Sequence, residues 1–255
     1  MKAVRALTIT AGLLLVWQAV VSLTGVAYYI LPGPVRVGRA FVTNAELLFT
    51  HAAVTGIEII LGLLLGCILG CASAIMVAGF PPVRRWLMPV LVVSQAIPVF
   101  ALAPVLVLWL GYGLLSKVAM ATLIIYFPVT AAFFDGLRRT EPGWLDLART
   151  MGGGRYYILR YIRIPAALPA LSSGIRVATA VAPIGAVVGE WVGSSAGLGY
   201  LMLQSNARLQ VDVMFAALLL LSLMAVGLYF SVDAALRLAL PWQVEDSGSA
   251  AKGPG

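Results

Sequence analysis

Six uninterrupted apolar runs constrain this chain more than any other feature: Ala6 to Gly25, Ile59 to Phe80, Leu87 to Leu110, Val118 to Phe134, about Leu168 to Trp191, and Val213 to Val232. A helix crossing ~30 Å of hydrocarbon needs about 20 apolar residues, so runs of this length call for a bilayer. The rest of the composition agrees. The chain is 61% hydrophobic and 11% charged, with a mean hydropathy of +0.99, and a water-soluble globule would have nowhere to bury that much apolar surface. The fold class expected is therefore all-α, a polytopic membrane protein with six transmembrane helices and both ends on one side. Ala6 to Gly25 follows Lys2 and Arg5 and is too long for a signal h-region, so it reads as an uncleaved first span. Pro89, Pro98 and Pro104 kink or shorten the third span.

Charge gives the expected orientation. With a cytoplasmic N-terminus, the inner side holds Lys2, Arg5, Arg84, Arg85, Arg138, Arg139, Arg149, Arg155, Arg160, Arg163, Arg237 and Lys252, and the outer side Arg36, Arg39, Lys117 and Arg208. Twelve against four is the asymmetry of the positive-inside rule. Scattered between apolar runs, these cations argue against nucleic acid as a partner despite a net charge of +7. Cys67 and Cys71 offer too few ligands for a closed metal site and read as packing residues. His51 has no partner at a motif spacing and reads as a solvated interfacial residue. Residues 31–56 open on a Pro-Gly-Pro turn and continue as a weakly amphipathic stretch, expected as a short helix at the outer surface. The expected divisions are 1–53, a first span and surface segment; 54–238, the main membrane domain; and 239–255, a flexible cytoplasmic tail. The sequence shows no internal repeat.

The 141–172 loop, rich in arginine, lies on the cytoplasmic side in this topology. Thr140 is placed to cap a helix beginning Glu141–Pro142 and running to Met151. Gly152, Gly153 and Gly154 then permit a reversal, and a second helix, about Tyr156 to Ile164, is expected to end before Pro165. Such a hairpin presents its first helix as a knob to a soluble partner; the plainer alternative is a helical hairpin carrying positive-inside arginines.

The spacing in this loop resembles the EAA loop of ATP-binding-cassette importer permeases, which reads E-A-A, three residues, G, nine residues, I, one residue, L-P. The first three positions fall on Asp146, Leu147 and Ala148, the glycine on Gly152, the isoleucine on Ile162, and the final pair on Ile164 and Pro165. Asp146, Leu147 and Ile164 depart from the pattern, Leu147 by the most. ILPGPVRV at 30–37 and GEWVGSSAGLGYLM at 189–202 extend the resemblance to the nitrate, sulfonate and taurine branch of type I importer permeases. The resemblance implies a type I importer permease fold in the bacterial inner membrane, with both termini cytoplasmic and lipid around it. It also implies the partners: a second permease subunit, expected to be an identical copy; two ATP-binding subunits that receive the loop and hold the ATP; and an extracellular or periplasmic substrate-binding protein. The permease itself would then be no enzyme and hold no cofactor, in keeping with the lack of a G-x-x-x-x-G-K-[ST] motif.

Glu190 is an ionisable group near the end of a span and by default a pathway candidate. Trp191 either stacks on a flat substrate or belongs to an interfacial aromatic belt. Arg176 lies ~21 Å from Glu190 along a helix and reads as snorkelling toward the cytoplasm. Gly189, Gly193, Gly197 and Gly199 allow either a re-entrant or surface loop or close helix packing. An acid and an indole without clustered cations favour a neutral or cationic aromatic cargo. The 189–202 segment followed by VDVMFAALLLLSL looks like permeases for pyrimidine precursors of thiamine, with sulfonate, taurine, nitrate or riboflavin as alternatives. Outside this class stand an ion-coupled secondary transporter working through Glu190 and Asp135, and a non-transporting membrane anchor.

Overall fold

The computed structural model describes residues 2–242 apart from 81, 84, 87–88, 91–92 and 94–96. Among these the chain is helical throughout: α1 Lys2–Thr24, α2 Pro34–Thr43, α3 Ala45–Gly79, α4 Val99–Leu110, α5 Leu114–Arg138, α6 Pro142–Thr150, α7 Arg155–Ile158, a π turn over Leu159–Arg163, α8 Ile164–Gly193, α9 Leu198–Ala207 and α10 Val211–Ala239. Among the described residues, four helical stretches are long and apolar enough to cross a membrane: Ala45–Gly79, Leu114–Arg138, Arg155–Gly193 and Val211–Ala239. Ala11–Thr24 of α1 and α4 are shorter apolar helical stretches. The first half of the expected third span, with the kink near Pro89, falls largely outside the described residues, as do the last thirteen residues of the expected tail.

The core is a three-helix packing of α3, α5 and α8. Gly62, Gly66 and Gly70 form a seam of small residues on α3. A Cβ built on Gly62 would lie 2.4 Å from Ala121 Cβ, and one on Gly66 2.5 Å from Ile125 Cγ2. From the opposite side, a Cβ on Gly185 of α8 would meet Ala121 Cα at 2.7 Å. Within lipid there is no hydrophobic drive to bring helices together, so close backbone approach and dispersion must do it. Ile59, Ala121, Ile125, Val129, Ala178, Ala182 and Ala186 fill this junction, with Cys67 and Cys71 partly buried against it as packing residues. The outward faces of α3 and α10 carry exposed Ile60, Leu64, Ile68, Leu219, Leu223 and Phe230, as a lipid-facing surface should.

Several local expectations need correction. The helix carrying the second span begins at Ala45 rather than Ile59; the intervening sequence, though less apolar, is packed on α9 and α10. The surface helix is α2, started by Gly33 and Pro34. Thr140 does not cap α6: the N-cap is Glu141, and buried Thr140 donates to Leu137 O at 3.3 Å, closing the end of α5 instead. Nor does the helix stop before Pro165. It runs on through the π turn into α8, with Ile164 N–H donating to Leu159 O, five residues back. A proline ring collides with the i−4 carbonyl of a regular α-helix and lacks the N–H for that bond. The wider turn just ahead of Pro165 relieves that conflict without ending the helix.

Candidate coupling surface and polar knot

The motif residues gather at one end of the molecule. Met151 ends α6, and Gly152 follows with φ +82, in the left-handed region that favours glycine. Gly152 N–H donates to Arg149 O at 3.0 Å and Gly153 N–H to Ala148 O at 2.8 Å. These are the two bonds of a Schellman stop, which takes up orphan carbonyls at the helix end. The turn fixes how α6 projects. Ala148 is buried beneath it, whereas Leu147 is 62% exposed and Trp144 54% exposed. Asp146 forms an ion pair with Arg149 at 2.8 Å in water, which adds little stability. Ile162 lies in the π turn, Ile164 opens α8, and Pro165 follows it. Ala148, Leu147, Gly152, Ile162 and Pro165 line one groove of about 800 Å³.

Arg163, within the motif but not part of its pattern, ties this segment to the spans. Its guanidinium donates to Leu137 O through Nε at 2.9 Å and Nη2 at 2.8 Å, and to Ala78 O at 3.5 Å. Both carbonyls lie in the last turns of their helices, where backbone acceptors lack intrahelical partners and cations are favoured. In the sequence, Arg163 counts only as one more positive-inside arginine.

At the other end, the short helix α9 occupies the place where the sequence leaves a loop or packed glycines open. Its starting N–H groups are all taken by side chains from other helices. Gly197 N–H donates to His51 Nδ1 at 2.9 Å and Leu198 N–H to Thr55 Oγ1 at 2.7 Å. Gly199 N–H and Tyr200 N–H donate to Glu190 Oε2, the latter at 3.2 Å. Thr55 in turn donates to Glu190 Oε1 at 2.6 Å. A negative carboxylate at a helix N-terminus is stabilised by the helix dipole as well as by the bonds. Gly197 is required twice here: its φ is +113, and a Cβ there would fall within 2.2 Å of the Glu190 carboxyl. His51 is therefore not a solvated interfacial residue. It sits on Tyr200, ring centroids 6.0 Å apart.

Next to this knot, Lys117 Nζ lies 2.8 Å from Glu58 Oε1, both side chains buried, so Lys117 is no exposed outer cation. Gly189 and Gly193 are packing positions, facing Lys117 and Val107 respectively. Arg176 does not snorkel alone; it meets Asp233 of α10 at 2.6 Å, and Asp233 also takes Arg237 at 2.8 Å. Glu190 is 1% exposed and Trp191 51% exposed, so these neighbours face opposite ways.

Residues 62–243 match the family described as the binding-protein-dependent transport system inner membrane component. The chain belongs to this family. The permease is 55% identical over 232 residues to a probable ABC transporter permease protein of Haemophilus influenzae, covering 91% of this chain and 95% of that one. It is 35% identical over 232 residues to the formylaminopyrimidine transport permease ThiX of Halalkalibacterium halodurans, covering 91% and 92%. To the riboflavin transport system permease RibX of Chloroflexus aurantiacus it is 38% identical over 240 residues, covering 93% and 90%. A solved inward-facing structure of the MetNI methionine ABC transporter shares the fold, with a TM-score of 0.67 at 19% identity over 77% of this chain and 97% of that one. This permease is thus the membrane component of an ABC importer and not an enzyme.

Proposed function

We propose that this permease carries a flat nitrogen heterocycle across the bacterial inner membrane, with a pyrimidine precursor of thiamine as its cargo. The observation that carries this reading is the similarity, over nine-tenths of the chain, to a protein named for formylaminopyrimidine transport. The likeness to a riboflavin permease points to the same ring chemistry, and riboflavin is the second reading. Both are preferred to a sulfonate, taurine or nitrate. Half-exposed Trp191 offers an indole face to such a ring, and Glu190, held by α9, supports the outer end of the span that presents it.

In this reading Asp146, Leu147, Ala148, Gly152, Ile162, Ile164 and Pro165 form the element received by an ATP-binding subunit. ATP binds there, in the partner. Two copies of this chain, two ATP-binding subunits and a periplasmic binding protein make the working importer, with both permease termini in the cytoplasm. Closure of the ATP-binding subunits draws the α6 knobs together and turns the membrane helices between inward and outward access. Arg163 passes that movement to the ends of α3 and α5. The deciding experiment is a ligand profile of the cognate binding protein by calorimetry, followed by uptake into proteoliposomes holding the full complex. Binding and ATP-dependent uptake of formylaminopyrimidine are expected. Tight binding of riboflavin or taurine in its place would overturn the cargo, and uptake without ATP would overturn the coupling.

A further inference from the structure

The groove beside α6 has a wall that comes from the far end of the chain. Trp144, Leu147, Met151, Tyr157 and Tyr161 line it from the loop, and Trp242 closes it from beyond α10. These side chains are 54%, 62%, 79%, 54%, 61% and 57% exposed in that order. So many large, exposed apolar groups converging in one place mark an interaction surface rather than a solvated one. The mixture is also that of binding hot spots, aromatic rings and a methionine. Trp242 is held in place by its approach: Leu240 is buried, and its N–H donates to Leu236 O at 3.0 Å.

We infer that Trp242 is a second anchor for the ATP-binding subunit, so that the permease is gripped at two points, the α6 knob and the chain's C-terminal turn. This rests on the coupling reading above. The occupant is assigned by continuity, since the groove that Trp242 closes is walled by Leu147, Ala148 and Gly152 themselves. The partner surface that fits is an apolar pocket wide enough for an indole. A lipid chain would need an apolar surround, and on α6 the exposed ion pair of Asp146 and Arg149 flanks Trp144 and Leu147.

The test measures affinity of the cognate ATP-binding subunit for the purified full-length permease in detergent. Trp242→Ala is expected to weaken it about thirtyfold, the loss typical of a truncated tryptophan hot spot, and Trp242→Phe to weaken it by about threefold or less. Leu147→Arg serves as the control for the coupling reading and is expected to abolish binding. Native affinity in Trp242→Ala with binding lost in Leu147→Arg overturns the second anchor and leaves the coupling reading standing. Native affinity in Leu147→Arg overturns the coupling reading and this inference with it. A photo-crosslinking residue at position 242 in the assembled complex gives an independent readout. An adduct with the ATP-binding subunit is expected, and adducts confined to lipid or to residues 243–255 of the permease would overturn the assignment.

Discussion

The polar knot at the start of α9 and the groove beside α6 are opposite solutions to the same problem of leaving nothing costly unmatched. At the knot, all four N–H groups that begin α9 find acceptors within the chain, and the carboxylate that takes two of them is itself buried. At the groove, backbone groups are closed by the Schellman turn while large apolar side chains stand in water. A region satisfied internally folds and holds its shape by itself. A region satisfied in its backbone but not in its side chains is shaped in advance for something else to cover it. Mutations should therefore separate the two, with the knot governing stability and the groove governing function.

The largest effect is expected at Glu190. Replacing it by alanine strands two backbone donors and leaves the Thr55 hydroxyl only a longer bond to His51 O at 3.3 Å, and losing one side of a buried hydrogen-bond set costs about 3–5 kcal/mol. Thermal unfolding in detergent should show a much lower midpoint, and membrane abundance should fall. Glu190→Gln keeps an acceptor and is expected to lose about 1–2 kcal/mol. An unchanged midpoint in Glu190→Ala would break the comparison at its stronger end. Next comes Lys117→Met, which leaves Glu58 buried beside no cation and costs about 3 kcal/mol. Adding Glu58→Gln should recover part of that loss, because the pair rather than either residue is what the membrane tolerates. Full additivity in the double variant would show that the two do not interact.

At the groove, Gly152→Val places a β-branched residue at φ +82, a local cost of about 1–2 kcal/mol. Membrane abundance is expected to stay near native, while ATP-driven uptake in proteoliposomes falls more than tenfold. Uptake at the native level would remove the turn from the coupling element.

What the sequence makes legible follows from how local each cause is. Apolar runs are local, so the crossing helices α3, α5, α8 and α10 can be read from composition. The reversal at Gly152 is local too, since the αL position has one favoured residue. Pro165 misleads because the rule that a helix stops before proline assumes α pitch, and the π turn is a second solution that the rule omits. Lys117 and Arg176 are misread for a different reason. Their partners Glu58 and Asp233 belong to other helices, and a charge in a span looks unpaired until the helices are packed. The knot is the extreme case: His51 and Thr55 meet the start of α9 from more than 130 positions away, and no spacing rule links them.

Arg163 stands between the two regions and gives the finest test. Its fork of donors closes the ends of α3 and α5, which would serve stability, yet it belongs to the segment that carries α6, which would serve coupling. Arg163→Lys retains the charge and loses the fork, since an ammonium cannot span two carbonyls in fixed geometry. The stability cost should be only about 1 kcal/mol, one or two weakened hydrogen bonds. The number of substrate molecules moved per ATP hydrolysed is the informative quantity. If Arg163 is a mechanical tie, that ratio drops while ATP hydrolysis by the complex continues, because the ATP-binding subunits still close but the helix ends no longer follow. If the ratio holds and only the unfolding midpoint moves, Arg163 belongs with the knot as a staple of the fold, and the boundary between the two regions lies at α6 itself.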